Sequence, residues 1–349
     1  MNSTPYIFGS LARISNLKDH PLQVQALNKE RWASGDYVAA EITHPGSGTF
    51  IELTNGRLMS PLRGERVVGA LGVRHATLES TGTWKEVADD GEMSLLTAAG
   101  LLGKLTSRSV FSPLPIRVKY LGHVLVDGKK ATMRQYVKDL APKAFRTPVI
   151  LLVGTSMSAG KTTAGRIVTR QLKTMGKTVL AVKMTGAGRY RDILALQDAG
   201  ADAILDFVDV GLPSTICPPE EFSSAIDQLL YRMALIPTDV AVVEIGASPY
   251  EPYNGALAIA HIRQQIALRL LCASDPYAVY GVMHGFELLP DLVTGPATNT
   301  IAGEELVQKL CQVKPLNLIL PQNLPELEAM LKQRLSPRPG KTAVQQPTP

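Results

Sequence analysis

Ten residues constrain this chain more than any others: Gly154-Thr155-Ser156-Met157-Ser158-Ala159-Gly160-Lys161-Thr162-Thr163. They follow PVILLV (148–153), a continuous apolar run of the kind that fills a strand buried on both faces. They precede residues 163–173, where Ala164, Ile167, Val168 and Leu172 fall on one helical face. A strand, a loop of small residues and a helix start, in that order, gather backbone N–H groups at the positive end of the helix. That is the composition of a phosphate loop. Small residues let the chain wrap a β-phosphate, Lys161 reaches the β- and γ-phosphates, and the Thr162 hydroxyl serves Mg²⁺. The common pattern leaves four residues between its leading Gly and the Gly-Lys pair; here Thr155 stands in that leading place and Gly154 precedes it. All ten residues are read as nucleotide-binding. Gly100-Leu101-Leu102-Gly103-Lys104 also contains Gly-Lys, but Leu105 follows where a hydroxyl is required. It reads as the end of a helix over residues 94–105.

The remainder of the second half continues the alternation. Residues 178–183 (TVLAVK), 239–244 (DVAVVE), 268–274 (LRLLCAS) and 316–320 (LNLIL) read as further strands. Alternating strands and helices predict a parallel sheet covered on both faces. The first half is different. Residues 36–43, 49–54, 66–73, 83–88 and 115–126 are β-rich runs punctuated by Pro45-Gly46, Asn55-Gly56, Gly64 and Asp127-Gly128. Asn55-Gly56 is a hairpin signal, because both residues tolerate positive φ. Several short strands at this spacing suggest a small barrel or sandwich. With 349 residues, more than one domain is expected. The predicted organisation is a β-rich domain over 1–140, a P-loop α/β domain over 141–335, and a disordered proline-rich tail over 336–349.

Composition narrows the class. A 45% hydrophobic content against 19% charged residues excludes a disordered chain and supplies apolar material for two cores. No apolar run is long enough for a membrane span, and residues 1–17 lack the basic start of a secretory signal. Cys217, Cys272 and Cys311 are odd in number and far apart, which fits neither a disulfide framework nor a zinc site and points to the cytoplasm. Through Arg146 there are 19 Lys and Arg against 13 Asp and Glu, a mild excess with no interleaved aromatics. Nucleic acid is therefore not an expected partner.

Four stretches, in order, resemble dethiobiotin synthetase. They are the Gly-Thr start of residues 154–162; Lys183-Met184-Thr185-Gly186 at the end of the second strand; Arg191-Asp192-Ile193-Leu194-Ala195-Leu196-Gln197; and Val243-Glu244-Ile245-Gly246-Ala247. The resemblance spans roughly residues 149–247 and leaves out the β-rich half. It implies that Thr162, Asp192 and Glu244 form a Mg²⁺ shell, with Asp206 and Asp209 as rival carboxylates to Asp192. Hard oxygen ligands of this kind suit Mg²⁺. Lys161, Lys183 and Glu244 are the implied catalytic groups, and Lys183, Arg189 and Arg191 are candidates to hold an anionic substrate. The expected cofactors are ATP, with the base preference open, and Mg²⁺. The expected activity is that of an ATP-dependent ligase or phosphotransferase acting on a small anionic substrate by phosphoryl transfer. The alternative is a nucleotide-hydrolysing switch or assembly factor acting on a protein partner. A homodimer or higher homo-oligomer is the expected assembly.

Overall fold

A computed structural model describes residues 5–336. Apart from Ser336, the expected tail lies outside the described residues. In the second half, six strands form one sheet: β1 (Val149–Gly154), β2 (Val179–Thr185), β3 (Ala203–Asp206), β4 (Val240–Ile245), β5 (Ile266–Cys272) and β6 (Leu292–Thr294). The order across the sheet is β3-β2-β4-β1-β5-β6, and every pairing is parallel. Helices α1 (Lys161–Thr174) and α2 (Tyr190–Asp198) cross over one face, as does the C-terminal α7 (Leu324–Leu335). Helix α3 (Pro219–Leu235) and helix α4 (Gly255–Ile262) cover the other. Two more, α5 (Pro276–Gly285) and α6 (Ile301–Cys311), complete the crossovers at the β5–β6 end. The apolar run of β1 is buried on both sides: Ile150 and Leu152 pack under α1, while Val149, Leu151 and Val153 face the opposite core.

The first half closes into a barrel. Residues Arg66–Leu71 pair with Tyr37–His44, which pairs with Arg117–Val126, then Glu92–Thr97, then Leu101–Arg108, which returns to Arg66–Leu71. Strand alternation divides the side chains. Val38, Ala40, Ile42, Val67, Met93 and Leu102 form one core, and their neighbours Tyr37, Ala39, Val68 and Leu101 pack outward into the core of the α/β sheet. Asn55-Gly56 does turn a hairpin, between Ile51–Glu52 and Leu58–Met59.

Three sequence expectations fail. Residues 94–105 are two antiparallel strands rather than a helix; Leu95 and Leu102 fill the barrel while Leu96 and Leu101 face outward, so tertiary pairing overrides a helix-like apolar spacing. Within 83–88 the chain makes a 3₁₀ turn, Trp84–Glu86, capped by the Thr83 hydroxyl accepting from the Lys85 amide at 3.2 Å. Residues 316–320 form no strand. The backbone meets edge strand β6 only at Val293, which donates to the Lys314 carbonyl and accepts from the Leu316 amide, and then turns away, with Leu316 and Leu318 buried beneath it. Strands β3 and β6 are too short to have stood out in the sequence.

The two halves are tied by a buried ion cluster. Arg13, whose side chain is 8% exposed, donates to Asp206 at 2.7 Å and to Asp209 at 2.8 Å, and its guanidinium lies 4.4 Å from the centre of the Tyr190 ring. Burial and the adjacent Asp206 push the Asp209 carboxyl up to about 6, against the pull of Arg13. A carboxyl raised by folding favours the protonated native state, so its contribution is lost as pH climbs through about 6. Arg13→Ala would leave two carboxylates facing each other without a cation, a loss of about 3–5 kcal/mol at neutral pH. Urea unfolding at pH 7.5 and pH 5 checks this: the deficit of the variant should shrink at the lower pH, and a pH-independent deficit would contradict the assignment.

Candidate functional site

The phosphate loop is shaped by two glycines. A Cβ on Gly154 would stand 2.5 Å from Lys161 Nζ, so only glycine lets that lysine fold back across the loop, where it donates to the Ser156 carbonyl at 2.6 Å. Gly160 takes φ +93° as the residue before α1, and no side chain caps the helix. The first amides of α1 thus have no side-chain acceptor among the described residues. The Ser156 hydroxyl is buried and has no partner among the described residues. Thr155, in the place of the usual glycine, is an anchor: its amide donates to the Cys272 carbonyl at 3.0 Å and its hydroxyl accepts from the Ser274 amide at 3.1 Å. Within the loop Ala159 is buried and Ser158 exposed, and Thr163 projects outward from the first turn of α1.

The register of the sheet brings the charged candidates to this loop. Lys183 stands opposite Glu244 across β2 and β4, and Leu152 of β1 stands opposite Glu244 on its other side. All three lie near the carboxyl ends of their strands, the side on which ligands of open α/β sheets sit. Thr162 Oγ1 donates to Glu244 Oε2 at 3.3 Å. Lys183 is 5% exposed and makes an ion pair with Asp192 from α2. Burial alone would lower the Lys183 ammonium, but Asp192 and Glu244 outweigh it and hold it above its ordinary value. Burial likewise opposes ionisation of Asp192, and Lys183 with Arg189 outweighs that and lowers it. Lys161 has no such partner among the described residues. Burial pulls its ammonium below the usual range, with Glu244 only partly opposing. The loop therefore holds a desolvated cation whose one hydrogen bond is to a neutral carbonyl, an arrangement that an incoming anion relieves.

Among the three acids weighed for the place of Asp192 in the metal shell, Asp206 and Asp209 are engaged by Arg13, whereas Asp192 lines a cavity beside Met157 of the loop. No group of three or more His, Cys, Asp or Glu side chains suited to a metal occurs among the described residues. Thr162 and Glu244 nevertheless fit Mg²⁺, which keeps several waters and takes phosphate oxygens alongside one or two carboxylates. Arg189 and Arg191 both precede Asp192; Arg189 approaches its carboxylate at 3.6 Å, and both line the same cavity. Burial, with Glu221 adding to it, pushes the Cys217 thiol up to about 12, which leaves little thiolate at neutral pH.

Glu52 was not legible in the sequence. It is fully buried in the short hairpin strand Ile51–Glu52, outside the barrel sheet, accepts the amides of Tyr190 at 2.7 Å and Arg191 at 3.0 Å, and takes a further hydrogen bond from Ser10. A carboxylate from the first half thereby caps the helix that carries Asp192, satisfying its free amides and its dipole. The only local signal is the Asn55-Gly56 turn that places the strand end; nothing marks a partner 138 residues away. Glu52→Ala should destabilise the first turn of α2 by about 1–2 kcal/mol. Amide hydrogen exchange at Tyr190 and Arg191 should then accelerate by about tenfold or more, and unchanged exchange would refute the cap.

No protein-family model matches this chain, and no curated protein matches it significantly. Among solved structures it is similar to HypB from Helicobacter pylori in complex with nickel, at 18% identity over 54% of this chain and 87% of that one, with a TM-score of 0.37. Chloroplast FtsY from Physcomitrella patens is similar at 15% identity over 52% of this chain and 62% of that one, with a TM-score of 0.36. A DUF1611 family protein from Anabaena variabilis is similar at 13% identity over 58% and 63%, with a TM-score of 0.37. Likeness at this level carries no argument about activity. The chain's own strand order and its strand–loop–helix make it a parallel-sheet P-loop NTPase fold preceded by a smaller β-rich barrel.

Proposed function

We propose that this chain binds a nucleoside triphosphate with Mg²⁺ at residues 154–163 and cleaves its γ-phosphate. The observation that supports this most is the uncapped start of α1 beside a buried Lys161 that lacks an anion, with Thr162 and Glu244 in contact next to it. In this reading the loop amides and Lys161 cradle the phosphates, which lowers the cost of charge developing during transfer. Thr162 and Glu244 would hold Mg²⁺. The bound ion would neutralise phosphate charge. Asp192 contributes from the far side of Lys183. ATP is the nucleotide of this reading, with GTP and CTP as comparisons.

The ion pair between Lys183 and Asp192 bears on what receives the phosphoryl group. A buried lysine already neutralised by a half-buried carboxylate is not free to hold an acceptor. Hydrolysis, with the nucleotide state passed through α2 and Glu52 to the barrel, is therefore preferred: a switch or assembly factor acting on a protein partner, as a homo-oligomer or alone. A second reading, a dethiobiotin synthetase-like ligase or kinase transferring phosphate to a small anionic substrate, is favoured by one feature: the cavity lined by Arg189, Arg191, Asp192 and Met157.

Glu244→Gln keeps the shape and the hydrogen bond from Thr162 but removes the charge. Turnover should fall by about 10²-fold or more while nucleotide affinity changes little. A phosphate-release assay paired with a binding titration checks both, and turnover equal to wild type would reject the role of Glu244.

A further inference from the structure

A cavity of about 620 Å³ lies between the barrel and the phosphate loop. Its volume is in the range of small-molecule sites, about 300–1,000 Å³. Its walls are mostly apolar. Buried Leu95, Leu96 and Ile116 of the barrel line it, and Phe50, Leu78 and Phe111 stand at its edge, 41%, 60% and 96% exposed. An almost fully exposed phenylalanine over an apolar hollow is surface that gains by being covered.

The charges along the wall can be counted against their partners. Glu52 is satisfied by the Tyr190 and Arg191 amides and by Ser10. Asp192 is paired with Lys183. Arg74 is paired with Glu79 and also donates to the Leu96 carbonyl and to Ser80; Arg108 donates to the Ser109 and Ser112 carbonyls. Two guanidinium groups remain. Arg191 makes no side-chain hydrogen bond or ion pair among the described residues, and Arg189 has only the 3.6 Å approach to an Asp192 already held by Lys183. Both lie at the end of the cavity marked by Ala187, Asp192 and Met157, next to the phosphate loop.

We infer that this cavity binds a small amphipathic carboxylate, its apolar body against the barrel wall and its carboxylate on Arg189 and Arg191. Planar bidentate donors suit a carboxylate, and the apolar wall contributes through area removed from water. The inference goes beyond the nucleotide reading, since nothing in it requires nucleotide or Mg²⁺.

The full-length protein, without nucleotide or Mg²⁺, would be titrated with 2-naphthoate and with its uncharged analogue 2-naphthylmethanol. Naphthoate should bind at one site per chain and at least about tenfold more tightly than the alcohol, the difference a guanidinium–carboxylate contact supplies. Arg189→Ala with Arg191→Ala should erase that preference while leaving the weak binding of the alcohol. Ala98→Trp, which fills the cavity from a half-buried turn, should abolish binding of both. Equal affinity for acid and alcohol, a preference that survives loss of both arginines, or binding untouched by the tryptophan would each overturn the inference. Because nucleotide is absent, a failure here leaves the phosphate-loop reading standing, and the reverse also holds.

Discussion

Lys161 is a cation removed from water and given no anion. Its ammonium rests on the Ser156 carbonyl, and Gly154 is glycine because that fold-back leaves no room for a Cβ. A buried charge is costly unless paired, and here the carboxylate that acts on it most, Glu244, is itself shared with Thr162 and faces Lys183. The surrounding structure maintains this imbalance. Strand β1, buried on both faces, holds the loop rigid, and Thr155 pins its start to the end of β5. The first turn of α1 adds its positive end to the same point. The arrangement is stable as a binding site and poor as an empty surface.

Beside that unpaired cation stands a chain of paired ones. Lys183 answers Asp192, Arg13 answers Asp206 and Asp209, and Glu52 answers the amides at the start of α2. Each link passes through the segment 187–192 or packs against Tyr190 within it. The first half therefore does more than sit beside the α/β sheet. Its connecting segments supply Ser10, Arg13 and Glu52 to hold the helix that borders the phosphate loop, and the outward faces of the barrel strands join the same hydrophobic core. A shift of α2 on nucleotide binding would be felt at these contacts first, because a buried carboxylate cap cannot be partly released at small cost.

The α/β half was largely readable because its signals are local. The loop at 154–163 is contiguous, and four of the six strands are apolar runs whose length and bounding residues set them apart. The barrel was readable only as a set of strands, since closure depends on a parallel pairing between Arg66–Leu71 and Leu101–Arg108 that no spacing announces. Residues 94–105 misled because their leucines suit a helical face as well as two sides of a hairpin. In the site, Lys161 stands out by its loop motif, Lys183 and Glu244 by their strand ends, and Asp192 only by the family resemblance; the structure places the four side chains near one another. Arg13 and Glu52 were not, because each acts on residues more than a hundred positions away.

The central claim is that residues 154–163 form a nucleotide site whose phosphate cradle works with Mg²⁺ on Thr162 and Glu244. Its most direct test is a titration of the wild-type protein with fluorescent ATP, GTP and CTP analogues, with Mg²⁺ and with EDTA. The account predicts saturable binding of at least one triphosphate at one site per chain, weakened by EDTA and competed by the unlabelled nucleotide. Absence of binding by all three triphosphates in the presence of Mg²⁺ would contradict it.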